Sequence, residues 1–363
     1  MAAKPSVEHL LETLARSSPE DHRLDELPED GARPDPSLRR RTMIPVLIAL
    51  ILICSFAAQG IFNVRSNIVV WATQTSTAPL EVRLGGGRWI PVERLQREDI
   101  SSALRTLHDG DVLTVHRLEV RRRAASRWRQ IIAGALGSEL IVLRIDPSKA
   151  NFATSFRNDF EPTTAVERLR ETPGAVLALP ANYFDRQGRP IGWVVHQSKE
   201  RNRALDRWTG FFFVADGKPY FGPHSLLAEV RAEKRSITEA AQAFPSVMRD
   251  GVIFSYVRSE PERYFQGLDI TYRSLAGVDA GGHPVMLLSG SGGGLNITEA
   301  ALIARALGVE HATLLDGGTS LQYAIRESGF WYRFGSFNHT LELPGGRLGP
   351  VRSPVFIVAS LAE

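Results

Sequence analysis

The stretch HATLLDGGTSLQYAI, residues 311–325, joins one apolar run to another through Asp316-Gly317-Gly318-Thr319-Ser320. A tight turn accounts for an Asp-Gly pair, because glycine enters positive φ without steric cost. It does not account for a carboxylate, two glycines and two hydroxyls in succession. The residues upstream supply the context. HPVMLLSG (283–290) has the length and composition of a buried strand, and SGGGLN (291–296) of a flexible loop. ITEAALIARAL (297–307) reads as a helix with Ala301, Leu302 or Ile303, Ala304 and Leu307 available to a sheet. Gly308 follows where a left-handed C-terminal cap is expected. ATLLD is then the next strand. The unit reads β–α–β with Asp316 at the C-terminal end of its last strand, the edge at which α/β units collect ligand groups.

Further out, ELIVLRID, AVLALPA, IGWVVHQ, GFFFVADG, DGVIFSYV and PVFIVAS are short apolar or alternating runs bounded mostly by Gly, Pro, Asp or Asn. Helical spacing is rarer: TAVERLRE, SITEAAQAF and the segment before Gly308. The expected fold class is α+β, a strand-rich domain over 139–363 with a mainly mixed or antiparallel sheet.

The N-terminal part differs. Residues 1–41 are polar, contain Pro34 and Pro36, and hold too few apolar groups to offset ordering entropy; a mostly disordered tail is expected, with VEHLLETLA (7–15) as a short helix. Residues 42–64 carry no charged side chain, and at 1.5 Å per residue such a run reaches roughly 34 Å, enough to cross a bilayer core. Arg39, Arg40 and Arg41 precede it and only Arg65 lies close after it. The expectation is a single transmembrane helix with the tail cytoplasmic and the C-terminal bulk periplasmic or extracellular. A cleaved signal peptide would need a shorter leader, and a core helix would not be apolar on every face. Cys54 follows Ile53 rather than a small residue, which argues against lipid attachment.

The whole chain has 363 residues, 43 Lys+Arg against 40 Asp+Glu, and one cysteine. A net charge of +3 gives no reason to expect nucleic acid, and a lone cysteine excludes intramolecular disulfides and Cys-based zinc sites. Residues 65–138 form a juxtamembrane region. EVRLGGGRWIPV reads as two strand pieces around a glycine turn, and DISSALRTLH as a helix capped by Asp99 or Ser101. VHRLEVRRRAASRWRQ is basic enough to meet anionic lipid head groups or polysaccharide, or simply to be a solvated face.

Seven segments, in order, resemble the phosphodiester glycosidase domain: LRIDP (143–147), ANYFDRQGRPIGWVV (181–195), GFFFVADGKP (210–219), EAAQAFPSVMRDG (239–251), YRSLAGVDAGGHPVML (272–287), GLNITEAALIARALGVEHATLLDGGTS (294–320) and PVRSPVFIV (350–358). That family includes the lysosomal enzyme that uncovers mannose 6-phosphate and bacterial exopolysaccharide-associated proteins. The resemblance implies hydrolysis of a sugar joined through its anomeric carbon to a phosphodiester. It carries the family's LDGG-S signature onto Asp316, Gly317, Gly318 and Ser320, its arginine onto Arg273 and its helix-opening glutamate onto Glu299. Its Asn-initiated segment falls on 180–185, where this chain has Pro180, with Asn182 two places on. Thr319 stands where the family usually has Gly or Ser.

Such chemistry passes through an oxocarbenium-like state, at which a carboxylate can act as nucleophile, base or electrostatic stabiliser. Asp316 is the first candidate and Glu299 the second, although an acid in a helix's first turn also favours the helix dipole. Gly317 and Gly318 would let backbone N–H groups approach phosphate or sugar oxygens, with Thr319 and Ser320 adding hydroxyls. Arg273 would clamp the phosphodiester through its planar fork. Asn182 and Asp185 would line the site, Asp185 also fitting a hairpin turn in FDRQGRP. His196, His283 and His311 are isolated. GSGGG (290–294) lacks the Lys-Ser/Thr of a P-loop and is a phosphate cradle or a mobile lid. No metal or other cofactor is expected; the partners expected are a glycan substrate and membrane lipid, with no nucleic acid. Pro180 and Thr319 motivate a second reading, a non-catalytic glycan-binding or exopolysaccharide-assembly protein, and the tail a third, a scaffold in a membrane complex. On the enzyme reading, Asp316, Arg273 and Asn182 should line one cleft.

Overall fold

A computed structural model describes residues 45–55, 63–260, 267–336 and 351–362. Ser55–Glu363 separates from Met1–Cys54 as a unit of its own. Of the first unit, 45–54 is helical and exposed throughout, from Val46 to Ile53 on every apolar side chain. Among the described residues no helix is long and apolar enough to cross a membrane. The remainder of the expected span, 42–44 and 56–62, lies outside them, as do the tail and its short helix. Val64, expected as the last residue of the span, instead opens a helix of the second unit.

In chain order the strands are β1 (Leu80–Arg83), β2 (Trp89–Pro91), β3 (Leu104–Asp109), β4 (Leu113–Arg122), β5 (Ser138–Ile145), β6 (Ala150–Ser155), β7 (Ala175–Pro180), β8 (Val194–His196), β9 (Lys199–Asn202), β10 (Gly210–Ala215), β11 (Lys218–Pro223), β12 (Ile237–Ala243), β13 (Ser246–Arg249), β14 (Val252–Ile253), β15 (Ser274–Asp279), β16 (Pro284–Ser289), β17 (Val309–Leu315), β18 (Gln322–Glu327), β19 (Phe330–Gly335) and β20 (Phe356–Leu361). The helices are α1 (Val64–Thr73), α2 (Arg97–Ala103), α3 (Arg127–Leu136), α4 (Ala165–Glu171), α5 (His224–Ala232), α6 (Ser255–Ser259) and α7 (Ile297–Ala306).

A ten-stranded sheet runs β14-β13-β17-β15-β16-β5-β4-β1-β2, with β3 paired to β4; two five-stranded sheets run β11-β10-β12-β8-β9 and β19-β18-β7-β20-β6. β4 and β5, on either side of residue 137, pair from Leu113↔Ile145 to Val120↔Ser138, so residues 80–122 share the sheet of 138–145. Side-chain alternation splits the large sheet's burial between its faces. Leu140, Val142, Leu275 and Leu287 join α7's Ala300, Ile303 and Ala304 in one core. Ile141, Leu143, Ala276 and Met286 join Leu177, Phe212 and Tyr323 of the smaller sheets in another. A strand buried on both faces reads as a continuous apolar run, which is why these segments are plain in the sequence.

The expected β–α–β unit is β16, α7 and β17, and β15 lies between its two strands, antiparallel to both. Asn296 caps α7, Glu299 completes a capping box, and Gly308 follows at φ +81°. Three expectations need correction. SITEAAQAF is not a helix but β12, held between β10 and β8; in so short an alanine-rich run, pairing on both edges overrides helical propensity. DISSALRTLH is half helix and half strand, capped by Gln96 with Asp99 answering from the third position. DGVIFSYV leaves β14 after Ile253 and enters α6. In the basic run, Arg117, Arg121 and Arg122 are not presented to solvent as a face of unpaired charge but bind Glu139, Glu81 and Glu299.

Candidate active site

Asp316 follows β17, which lies between β15 and β13, so its backbone is held from both sides. The glycines after it serve the fold. A Cβ on Gly317 would stand 2.9 Å from the Tyr272 carbonyl oxygen, and Gly318 sits at φ +60°. Gly318 donates its N–H to that same Tyr272 carbonyl at 2.8 Å. The Gly318 amide is therefore engaged within the protein rather than turned to a ligand as expected. Residues Gly318–Ser320 form a single 3-10 turn that leads into β18.

Asp316 is 3% exposed, and its Oδ2 has no hydrogen-bond partner. Burial pushes its carboxyl up to about 8, against the opposing pull of the Gly317 N–H and the Ser320 hydroxyl. At neutral pH the group is thus mostly protonated, the state that lets a carboxyl act as an acid. A cavity of ≈ 320 Å³ opens beside it, lined by Tyr183, Phe184, Thr271, Arg273 and the 314–320 segment. Arg273 precedes β15 and is 7% exposed. Its Nε donates to the Leu295 carbonyl at 3.3 Å and its Nη2 to the Asp269 carbonyl at 3.0 Å, which fixes the guanidinium plane. Burial lowers its proton affinity while Tyr183, Asp269 and Glu299 raise it. Tyr183 donates its hydroxyl to the Phe244 carbonyl at 3.0 Å and meets the Trp208 ring edge-on. Burial, reinforced by the charge of Asp316, holds its phenol well above the usual range.

The expected residues divide. Asp316, Arg273, Gly317, Gly318, Thr319 and Ser320 share the cavity wall. Asn182 lies behind it: fully buried, it donates to the carbonyls of Ile191, Trp193 and Gln242, fixing the segment that carries Tyr183. Its Oδ1 has no partner. Asp185 organises a turn away from the cavity, accepting the N–H groups of Gln187 and Arg189 and pairing with the Arg189 guanidinium. Glu299 is also outside the cavity wall. Both its oxygens accept from Arg122 Nη2 at 2.7 and 2.6 Å, and one also accepts the Asn296 N–H. Pro180 ends β7 opposite Phe356.

The 290–294 loop packs into the fold. Gly292 donates to Ser66 Oγ at 2.8 Å, and a Cβ on Gly293 would lie 2.1 Å from the Glu139 carbonyl oxygen. Neither a cradle nor a lid is needed to explain its glycines. His196 binds Glu239 with Thr154, His283 binds Asp279, and His311 stands beside Asp250. Sequence reasoning missed Tyr183, Phe184 and Thr271. Aromatic character beside Asn182 was the available signal for the first two; nothing local marks Thr271. A larger cavity of ≈ 590 Å³ beneath α3 is ringed by Arg117, Arg121 and Arg122, whose charges already meet glutamates.

An α+β fold with a buried carboxyl at a strand end and an arginine across a small cavity is the frame in which the comparisons fall. The family model described as phosphodiester glycosidase matches residues 173–345 of this chain. Its fold is similar to the catalytic domain of zebrafish N-acetylglucosamine-1-phosphodiester alpha-N-acetylglucosaminidase, auto-inhibited by its pro-peptide. That likeness has a TM-score of 0.50 at 15% identity and covers 80% of this chain and 86% of that one. Weaker likenesses are to a hypothetical protein from Synechocystis (TM-score 0.47, 15% identity, 71% and 64% covered) and a putative exported protein from Burkholderia pseudomallei (0.42, 11%, 82% and 88%). No curated protein matches.

Proposed function

We propose that this protein is a hydrolase of glycosyl phosphodiesters, attached to a membrane through residues 42–64 and acting on envelope or exported polysaccharide from the periplasmic or outer side. The observation that supports the reading is the shared cavity of Asp316 and Arg273, with Asp316 Oδ2 buried and unpartnered. Arg273 holds the non-bridging phosphate oxygens. Asp316, protonated when the site is empty, gives its proton to the bridging oxygen as the bond from that oxygen to the anomeric carbon breaks. The electron pair of that bond stays on the oxygen; water adds to the anomeric carbon and releases its proton to solvent. The products are a free sugar and a phosphate monoester. Positioned proton transfer of this kind contributes about 10²–10⁴-fold.

The test is release of reducing sugar from a panel of sugar-1-phosphodiesters by the full chain in detergent, beside Asp316→Asn. Release that falls by about 10²–10⁴-fold in the variant supports the acid role. It should also decline as pH rises through about 8, where the Asp316 carboxyl loses its proton. Saturable binding of the same compounds without release would replace the enzyme with the glycan-binding reading that Pro180 and Thr319 motivate.

A further inference from the structure

Two helices that carry no part of the cavity wall have their outer sides uncovered. α1 and α3 pack together through Val69, Ala72, Ala133 and Leu136, a small core of their own. Arg65 ties them further, donating from Nε and Nη2 to the Leu136 carbonyl at 3.2 and 2.6 Å. Beyond this contact each helix shows an apolar pair three residues apart, hence on one face. These are Ile68 and Trp71 on α1, and Trp128 and Ile131 on α3. Trp128, at 74%, is the most exposed large apolar side chain among the described residues. The neighbour of Trp128 reaches across to α1: the Arg129 guanidinium lies 4.5 Å from the Trp71 ring centroid.

The charge around them has one sign. From Val120 to Leu136 the chain holds Arg121, Arg122, Arg123, Arg127 and Arg129 with no acidic residue, and α1 adds Arg65 without an acid. Arg121 and Arg122 are taken by Glu81 and Glu299, while Arg123 and Arg127 remain exposed at the patch. Tryptophan beside isoleucine with flanking arginine is the composition of a helix that rests in a bilayer interface, ring at the head-group level and cation toward lipid phosphate. Chain length agrees: eight residues separate Ser55, the last of the exposed apolar helix, from Val64, the first of α1. A connection of that length spans at most roughly 30 Å, which bounds the reach of α1 from an anchor that ends at Ser55.

We infer that the α1–α3 layer is a membrane-docking face that seats the domain on an anionic bilayer, with Trp71 and Trp128 as its interfacial anchors. The inference rests on the membrane attachment proposed above. α1 also reaches inward. Ser66 Oγ lies 2.7 Å from the Tyr272 hydroxyl, which donates to Asn67 Oδ1 at 2.8 Å, and the Tyr272 carbonyl receives the Gly318 N–H beside Asp316. Seating α1 on lipid therefore fixes the height and tilt of the cavity above the membrane.

The experiment reconstitutes the full chain into vesicles of phosphatidylglycerol and phosphatidylcholine with and without brominated acyl chains. Flotation reports attachment, and quenching of tryptophan fluorescence by the brominated lipid reports docking. The expected result is quenching that is mostly lost in Trp71→Phe/Trp128→Phe. It should weaken in Arg123→Gln/Arg127→Gln and in vesicles of phosphatidylcholine alone. Flotation without quenching, or quenching unchanged in the double tryptophan variant, overturns the docking face while leaving the attachment intact; another copy or a segment of this chain covering the patch would give that result. Failure to float removes the attachment and the docking face with it. Circular dichroism of the variants checks that they fold, which two exposed positions should allow.

Discussion

Glu299 and Asp316 are both acidic, both on the β16–α7–β17 unit, and almost equally buried at 4% and 3%. Yet they are opposites. Glu299 has every oxygen occupied, by a guanidinium on one side and a helix N-terminus on the other. Asp316 lines a cavity, has one oxygen without a partner, and has a carboxyl that burial pushes toward its protonated form. Burial by itself therefore does not separate a structural acid from a chemical one. What separates this pair is the accounting of partners together with place: the Glu299 oxygens are spent within the fold, whereas Asp316 keeps one oxygen unpartnered on a residue that lines a cavity.

The contrast breaks most visibly at Glu299. Glu299→Ala leaves the Arg122 charge buried without its carboxylate, and an orphaned buried ion costs about 3–5 kcal/mol. Urea unfolding should show that loss. Arg122→Met/Glu299→Leu should recover most of it, because an apolar pair of similar volume needs no compensation. Full stability with abolished hydrolysis in Glu299→Ala would move Glu299 from the scaffold to the chemistry.

The same substitution logic reverses sign at Asp316. Its pKa is 3.8 in an ordinary setting and about 8 here, so the folded state binds a proton that the unfolded state has lost between those values. The stabilisation of the protonated form is complete below pH 3.8 and is lost as pH rises through about 8. Asp316→Asn has no such proton. Its melting temperature should match that of the unaltered chain at acid pH and exceed it increasingly up to about pH 8, where the gain is on the order of a few kcal/mol. A difference independent of pH would mean that Asp316 is ionised in the fold, and the acid role would fall with it.

Much of this was readable in the chain. The apolar run, the capped helix and the Asp-Gly-Gly turn identify β16, α7 and β17 because each carries its own local signal: period, cap, or positive φ. The insertion of β15 between the two strands carries none, since it depends on pairing partners distant in sequence. SITEAAQAF failed for the same reason, its strand state being imposed by β10 and β8. The arginine run looked like a surface because its acids come from elsewhere: Glu299 is 177 positions from Arg122. Asp316 stood out from its own strand-end context and Arg273 through the family resemblance, whereas Tyr183 and Thr271 join the cavity wall only once three distant segments are folded together.

Tyr183 gives the finest test of the comparison, because it is a second titratable group on the same cavity wall, with its bond already made. Its hydroxyl is spent on the Phe244 carbonyl, and both burial and Asp316 hold its proton more tightly. Tyr183→Phe should cost only about 1 kcal/mol, the worth of one neutral hydrogen bond whose carbonyl acceptor is left without it. It should lower kcat by less than about tenfold, well short of the loss expected at Asp316. The decline of activity through about pH 8 should survive in Tyr183→Phe and vanish in Asp316→Asn. If the phenylalanine variant abolishes that decline instead, the titrating proton is the phenol's and Asp316 is not the acid.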